Sequence, residues 1–125
     1  MTKTLKNARM AEMLHQLAPL LPRRDRIGYA AARNFRALSD SLTEYHAFRN
    51  GLIEKYGEPD TDEDGNVLPT VSIKMGSPGF KAFCDEMKPL NETAHAVELM
   101  TIPYADVVGV LSGEEILAVD WMLED

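Results

Sequence analysis

The sequence predicts a mainly α fold with a small β component: an N-terminal antiparallel helix hairpin containing one long helix, a small two-stranded β element and C-terminal helices. Three observations carry this prediction. Apolar residues recur at helical spacing through the first 57 positions, a short stretch after residue 66 alternates instead, and prolines and turn residues separate the two regimes. With 125 residues, 45% of them apolar and 26% charged, the chain has the size and composition of one domain with one sizeable core.

Met10, Met13, Leu14, Leu17, Leu20 and Leu21 follow helical spacing and predict a first helix over about residues 3–18, ended by Pro19 and Pro22. Ile27, Ala31, Phe35, Leu38, Leu42, Tyr45, Leu52 and Tyr56 form nearly a seven-residue repeat, interrupted at Arg49. They predict one long helix of about 30 residues, capped by Gly57, which completes a hairpin over 1–57. Glu58 to Asn66 contains no apolar residue and reads as solvated, so an acidic loop is expected over 58–69. A small α+β part follows over 70–125. Val71, Ile73 and Met75 alternate within residues 67–75, and Val97 and Leu99 alternate within 96–102; these two strands are expected to pair beneath a helix over about 78–88 that ends near Pro89. Ser112-Gly113-Glu114-Glu115 is a capping box and opens a final helix through Ile116, Leu117, Val119, Trp121 and Leu123, with Trp121 expected to anchor it to the core. Cys84, the one cysteine, falls among Phe80, Phe83 and Met87 and reads as a small buried apolar residue.

Charge is divided along the chain. Residues 1–57 carry ten Lys/Arg against five Asp/Glu, residues 58–125 carry three Lys against fifteen Asp/Glu, and the whole chain is −7. Opposite charge in two halves can be satisfied within the chain, in a second copy or by another partner. Arg23, Arg24, Arg26, Arg33 and Arg36 cluster within fourteen residues and could neutralise phosphates, but the overall acidity opposes binding to nucleic acid and no recognised nucleic-acid motif accompanies them. The apolar stripe of the long helix, Phe35, Leu38, Leu42, Tyr45 and Leu52, is longer than the first helix can cover and is expected, with the arginines, to serve association of the chain as a dimer.

Other constellations fall short of a chemistry. Asp60, Asp62 and Asp64 with Gly65 match the first half of a calcium-binding loop, yet Val71 stands where a bidentate Glu is required. Glu12/His15 and Glu92/His95 supply the Glu-x-x-His spacing of a di-iron bundle, but the first pair lies off the apolar stripe and Pro89 interrupts the helix that would carry the second. No nucleophile–base arrangement, phosphate-cradling loop or dinucleotide fingerprint is present, so neither an enzyme nor a cofactor is expected. No apolar stretch approaches the ~20 residues of a membrane span and no secretory signal opens the chain, which predicts a cytoplasmic protein.

The order of features from Lys55-Tyr56-Gly57-Glu58 through the Asp62-Glu63-Asp64-Gly65-Asn66 turn and the Phe80 to Glu86 helix to the Leu-rich C-terminus resembles a family of small phage and prophage proteins of unknown function. The resemblance implies a viral origin in a bacterial host and a role in binding. Two roles are expected: an assembly or accessory protein acting on itself or on a viral or host protein, or an acidic inhibitor imitating nucleic acid against a defence or DNA-binding protein.

Overall fold

The computed structural model describes residues 1–125 and is 57% helical, with five α-helices and three two-stranded sheets. The chain divides into two units, Met1–Leu42 with Ala94–Asp125, and Thr43–Thr93. No helix is long and apolar enough to cross a membrane.

In the first unit Thr2–Lys6 form strand β1, where the sequence predicted the start of a helix. The reason is local: two threonines alternate with Lys3 and Leu5, and only the odd positions turn partly inward. Helix α1, Asn7–Leu17, buries Met10, Met13 and Leu17, and Pro19 follows within a 3-10 turn at Ala18–Leu20. Helix α2, Arg26–Ser41, packs on α1 and buries Ile27, Ala30, Ala31, Asn34 and Leu38 at helical spacing. Asp25 caps it by accepting from the Gly28 N–H at 3.1 Å. A Cβ at Gly28 would lie 2.1 Å from the Arg23 carbonyl oxygen, so the tight entry into α2 requires glycine there.

Strand β4, Ala94–Glu98, pairs antiparallel with β1 in the register Thr2↔Glu98 to Lys6↔Ala94. The predicted partner of this strand was the 67–75 segment, which the structure instead places in the second unit. β5, Ile102–Pro103, and β6, Leu123–Glu124, form a short parallel pair. Helix α5, Gly113–Ala118, opens on the predicted capping box, with the Ser112 hydroxyl accepting from Glu115 N–H at 3.1 Å and the Glu115 carboxylate from Ser112 N–H at 2.9 Å. It is shorter than predicted. After Val119 the chain turns through a 3-10 segment at Asp120–Met122, which drives Val119 and Met122 into the core and leaves Leu123 to a strand.

The predicted long helix is two helices. Leu42 leaves helical geometry at φ −96°, ψ 2°, and α3 begins afresh at Thr43 and runs to Tyr56. The sequence around the break, Ser39-Asp40-Ser41-Leu42-Thr43, is rich in side chains that compete for backbone hydrogen bonds, while the apolar repeat runs across it unbroken. The hairpin boundary at residue 57 therefore does not hold.

The second unit contains α3, a hairpin of β2 (Glu58–Thr61) and β3 (Val67–Ser72), and α4 (Pro78–Glu92). The expected acidic loop over 58–69 is thus largely strand, with only its tip a turn. Asp62 builds that turn by accepting from the N–H groups of Asp64 and Asn66, both at 2.9 Å, while Gly65 takes φ 83°. Helix α4 passes through Pro89 instead of ending there. Proline stands in its last turn, and the Thr93 hydroxyl donates to the Pro89 carbonyl at 2.8 Å.

Candidate interaction surfaces

Folding brings the basic N-terminal segment 1–42 and the acidic segment 94–125, which has no Lys or Arg, into the same unit. A small part of the charge division in the sequence is met by ion pairs between these two segments. Arg26 reaches Asp106 at 3.2 Å, and the Met1 ammonium group reaches Glu98 at 2.7 Å. Arg23 pairs locally with Asp25 at 2.6 Å. Its guanidinium, joined by the Gly28 N–H, holds the Asp25 carboxyl below its ordinary range, and Arg23 itself is raised. Arg33 lies over the Tyr29 ring, 6.0 Å from its centroid. Arg24 and Arg36 are exposed and make no ion pair.

The apolar residues expected at a dimer seam are mostly turned inward. Leu38 and Leu42 are fully buried in the first unit, and Leu52 is buried in the second. Phe35 is half-buried. The Tyr45 hydroxyl donates to Asn91 Oδ1 at 2.6 Å, tying α3 to α4. The seam was inferred from a continuous helix, and the break at Leu42 gives its two halves separate cores.

Asp60 and Asp62 do not converge with Asp64 as calcium ligands. Asp60 accepts from Thr70 and Ser72, each at 2.7 Å, and Asp62 serves the turn; hydrogen bonds from Ser72 and Thr70, and from Asn66, hold these two carboxyls below their ordinary range. No three His, Cys, Asp or Glu side chains gather at one point. Glu12 pairs with Arg9 at 3.3 Å beside an exposed His15, while Glu92 ends α4 and His95 lies on β4.

Two open grooves cross the second unit and meet at Arg49 and Phe83. One, about 470 Å³, is lined by Tyr45, Cys84, Asp85, Met87 and Lys88; the other, about 410 Å³, by Ile53, Val71, Ile73 and Phe80. Cys84 is exposed at the first, contrary to the buried position expected of it, because only Met87 on α4 is closed over by other side chains. In the first unit a groove of about 520 Å³ runs between α2 and the end of β4, lined by Arg33, Arg36, Asp40 and Glu98 to Met100.

Sequence reasoning missed two residues that shape the first unit. Asn34, 1% exposed, donates from Nδ2 to the Met100 carbonyl at 2.9 Å and accepts the Met100 N–H on Oδ1 at 2.7 Å. Gln16 accepts from the Trp121 indole N–H at 3.0 Å. Asn34 had a signal: it is a polar residue in phase with Ile27, Ala31 and Leu38. No family model, curated protein or solved structure matches this chain.

Proposed function

We propose that the protein works by protein–protein binding, as a self-associating assembly or accessory factor of the viral type its sequence resembles, and that the second unit carries the contact between copies. One observation carries the reading. Of the eighteen buried apolar side chains, all but Leu52 and Met87 lie in the first unit; both units expose large apolar side chains, Val108 and Leu117 in the first and Phe48, Val67 and Met75 in the second, but only the second does so over so small a core. A helical unit with so little covered apolar surface gains stability from a partner. The grooves at Arg49 and Phe83 suit a second copy, because Arg49 and Lys88 stand beside Asp85, and a two-fold contact sets opposite charges across from each other. The acidic-mimic reading draws less support, since Asp60 and Asp62 spend their carboxylates inside the hairpin.

Light scattering over a range of protein concentrations tests this. A dimer is expected that Phe48→Glu converts to monomer with little change in melting temperature, since Phe48 is largely exposed. A wild-type chain that stays monomeric at high concentration removes the proposal.

A further inference from the structure

The β1–β4 sheet has two strands, so β4 has an edge that no strand covers. Its hydrogen-bond phase says which groups lie there. Met1 and Leu99 exchange bonds, from Leu99 N–H to Met1 O at 2.8 Å and from the Met1 ammonium to Leu99 O at 3.0 Å. In an antiparallel pair such exchanges fall on alternate residues, so Val97 and Leu99 face β1 while Ala96, Glu98 and Met100 turn their N–H and C=O groups outward. Met100 confirms the phase, because both its outward groups are taken by the Asn34 amide. Asn34 fills one rung of a missing third strand, and the next rungs, at Glu98 and Ala96, are open.

Beyond Asn34, this edge is guarded by one charged side chain, Glu98. β1 carries Lys3 and Lys6, charges that discourage pairing with other chains, whereas β4 reads Ala94-His95-Ala96-Val97-Glu98, with both alanines exposed and no lysine or proline. The groove of about 520 Å³ opens at Glu98 to Met100, and Arg33 and Arg36 stand over it without ion-pair partners. Glu98 is neutralised by the Met1 ammonium group, which leaves Asp40 as the opposing charge at the far end.

We infer that the outer edge of β4 is a peptide-docking site that takes an extended, acidic segment of a partner protein as a third strand, antiparallel or parallel to β4, with its carboxylates on Arg33 and Arg36. Main-chain bonds to Glu98 and Ala96 supply affinity and the two guanidiniums select charge. The site is separate from the contact proposed for the second unit.

Titration of the full chain with an end-blocked eight-residue peptide of alternating Val and Glu, followed by amide chemical shifts, tests the inference. Saturable shifts at Ala96 and Glu98 are expected. The Arg33→Ala, Arg36→Ala double variant, altered only at the surface, should bind at least tenfold more weakly, and so should a Val/Lys peptide or the Val/Glu peptide N-methylated at alternate amides. Four outcomes overturn it: no saturable shift, equal binding of the N-methylated peptide, a single-stranded oligonucleotide taking the same amides in the peptide's place, or concentration-dependent shifts at these amides without peptide, which would show β4 pairing with a second copy.

Discussion

Asn34 shows what one buried side chain does when its amide meets both polar groups of one backbone residue, Met100, and its Nδ2 also donates to the Met122 sulfur at 3.8 Å. Asn34→Leu would keep the helix and nearly the volume but orphan the Met100 N–H and C=O, at a cost of about 2–4 kcal/mol by the usual penalty for unmatched polar groups. Asn34→Asp should cost at least as much, because a carboxylate would face the Met100 carbonyl in a buried setting. Chemical denaturation measures both, and a change under 1 kcal/mol for either would show that water replaces the amide. Trp121 belongs to the same scale. It is half-buried and its indole N–H bonds Gln16 on α1, so Trp121→Ala should destabilise by about 2–4 kcal/mol while leaving association intact. Loss of association at unchanged stability would assign the residue to an interface. That Trp121 is partly enclosed could be expected from its company of Ile116, Val119 and Leu123; its position beyond α5 and its partner Gln16 could not, because nothing local joins residues 105 apart.

At the scale of the element, one cap was legible and ends were not: Gly57, expected to cap the long helix, lacks the positive φ of a left-handed cap. The Ser112–Glu115 box is a complete signal within four residues, and the structure contains it whole. Ser112→Ala should cost about 1 kcal/mol, with Glu115→Gln costing less because an amide oxygen still accepts the Ser112 N–H. The break at Leu42 was hidden because periodicity reports which residues face inward, and the inward stripe survives a kink; only the Ser/Thr run marked it. Strand pairing was beyond reach for a similar reason. Either alternating stretch could satisfy either partner, and β1, with Leu5 its one apolar side chain, offered little to choose it by.

The carboxylates that shape these elements share a dependence on pH. Asp25 is held low by Arg23 and the Gly28 N–H, Asp62 by Asn66, Glu98 by the Met1 ammonium and Thr2, and Glu115 by Ser112. Each folded-state value lies below the unfolded one. Their stabilisation is therefore present above the ordinary carboxylate range and lost as pH falls through the folded values. Melting temperature should drop between about pH 5 and pH 3, and Asp62→Asn should flatten part of that drop. A profile level across this interval would contradict the assignment.

For the whole molecule, the uneven core predicts uneven stability. Amide hydrogen exchange should be slowest in α1 and α2, which hold Met10, Met13, Leu17 and Leu38, and faster in α3, β2, β3 and α4, where only Leu52 and Met87 are buried. Equal protection in both units would mean that they open together. Met13→Ala should cost about 2–5 kcal/mol and expose the first unit to exchange. That the fold is mainly α was legible from spacing alone. That the segments 1–42 and 94–125 form one unit was not, although the charge division pointed toward it: a basic stretch and an acidic stretch that meet in space need not meet a partner.

The insertion of Thr43–Thr93 between the two parts of the first unit sets an order of events during synthesis. The inserted unit is contiguous and has all its pairing partners as soon as Glu92 has emerged. β1, made first, must wait for β4, whose last paired residue is Glu98. At translation rates of ~5–20 residues per second, that wait is roughly 5–20 s, during which Met10, Met13 and Leu17 have only α2 to cover them. A nascent chain stalled before residue 94 would thus present a formed hairpin and helix pair downstream of an incomplete core, a species suited to capture by chaperones.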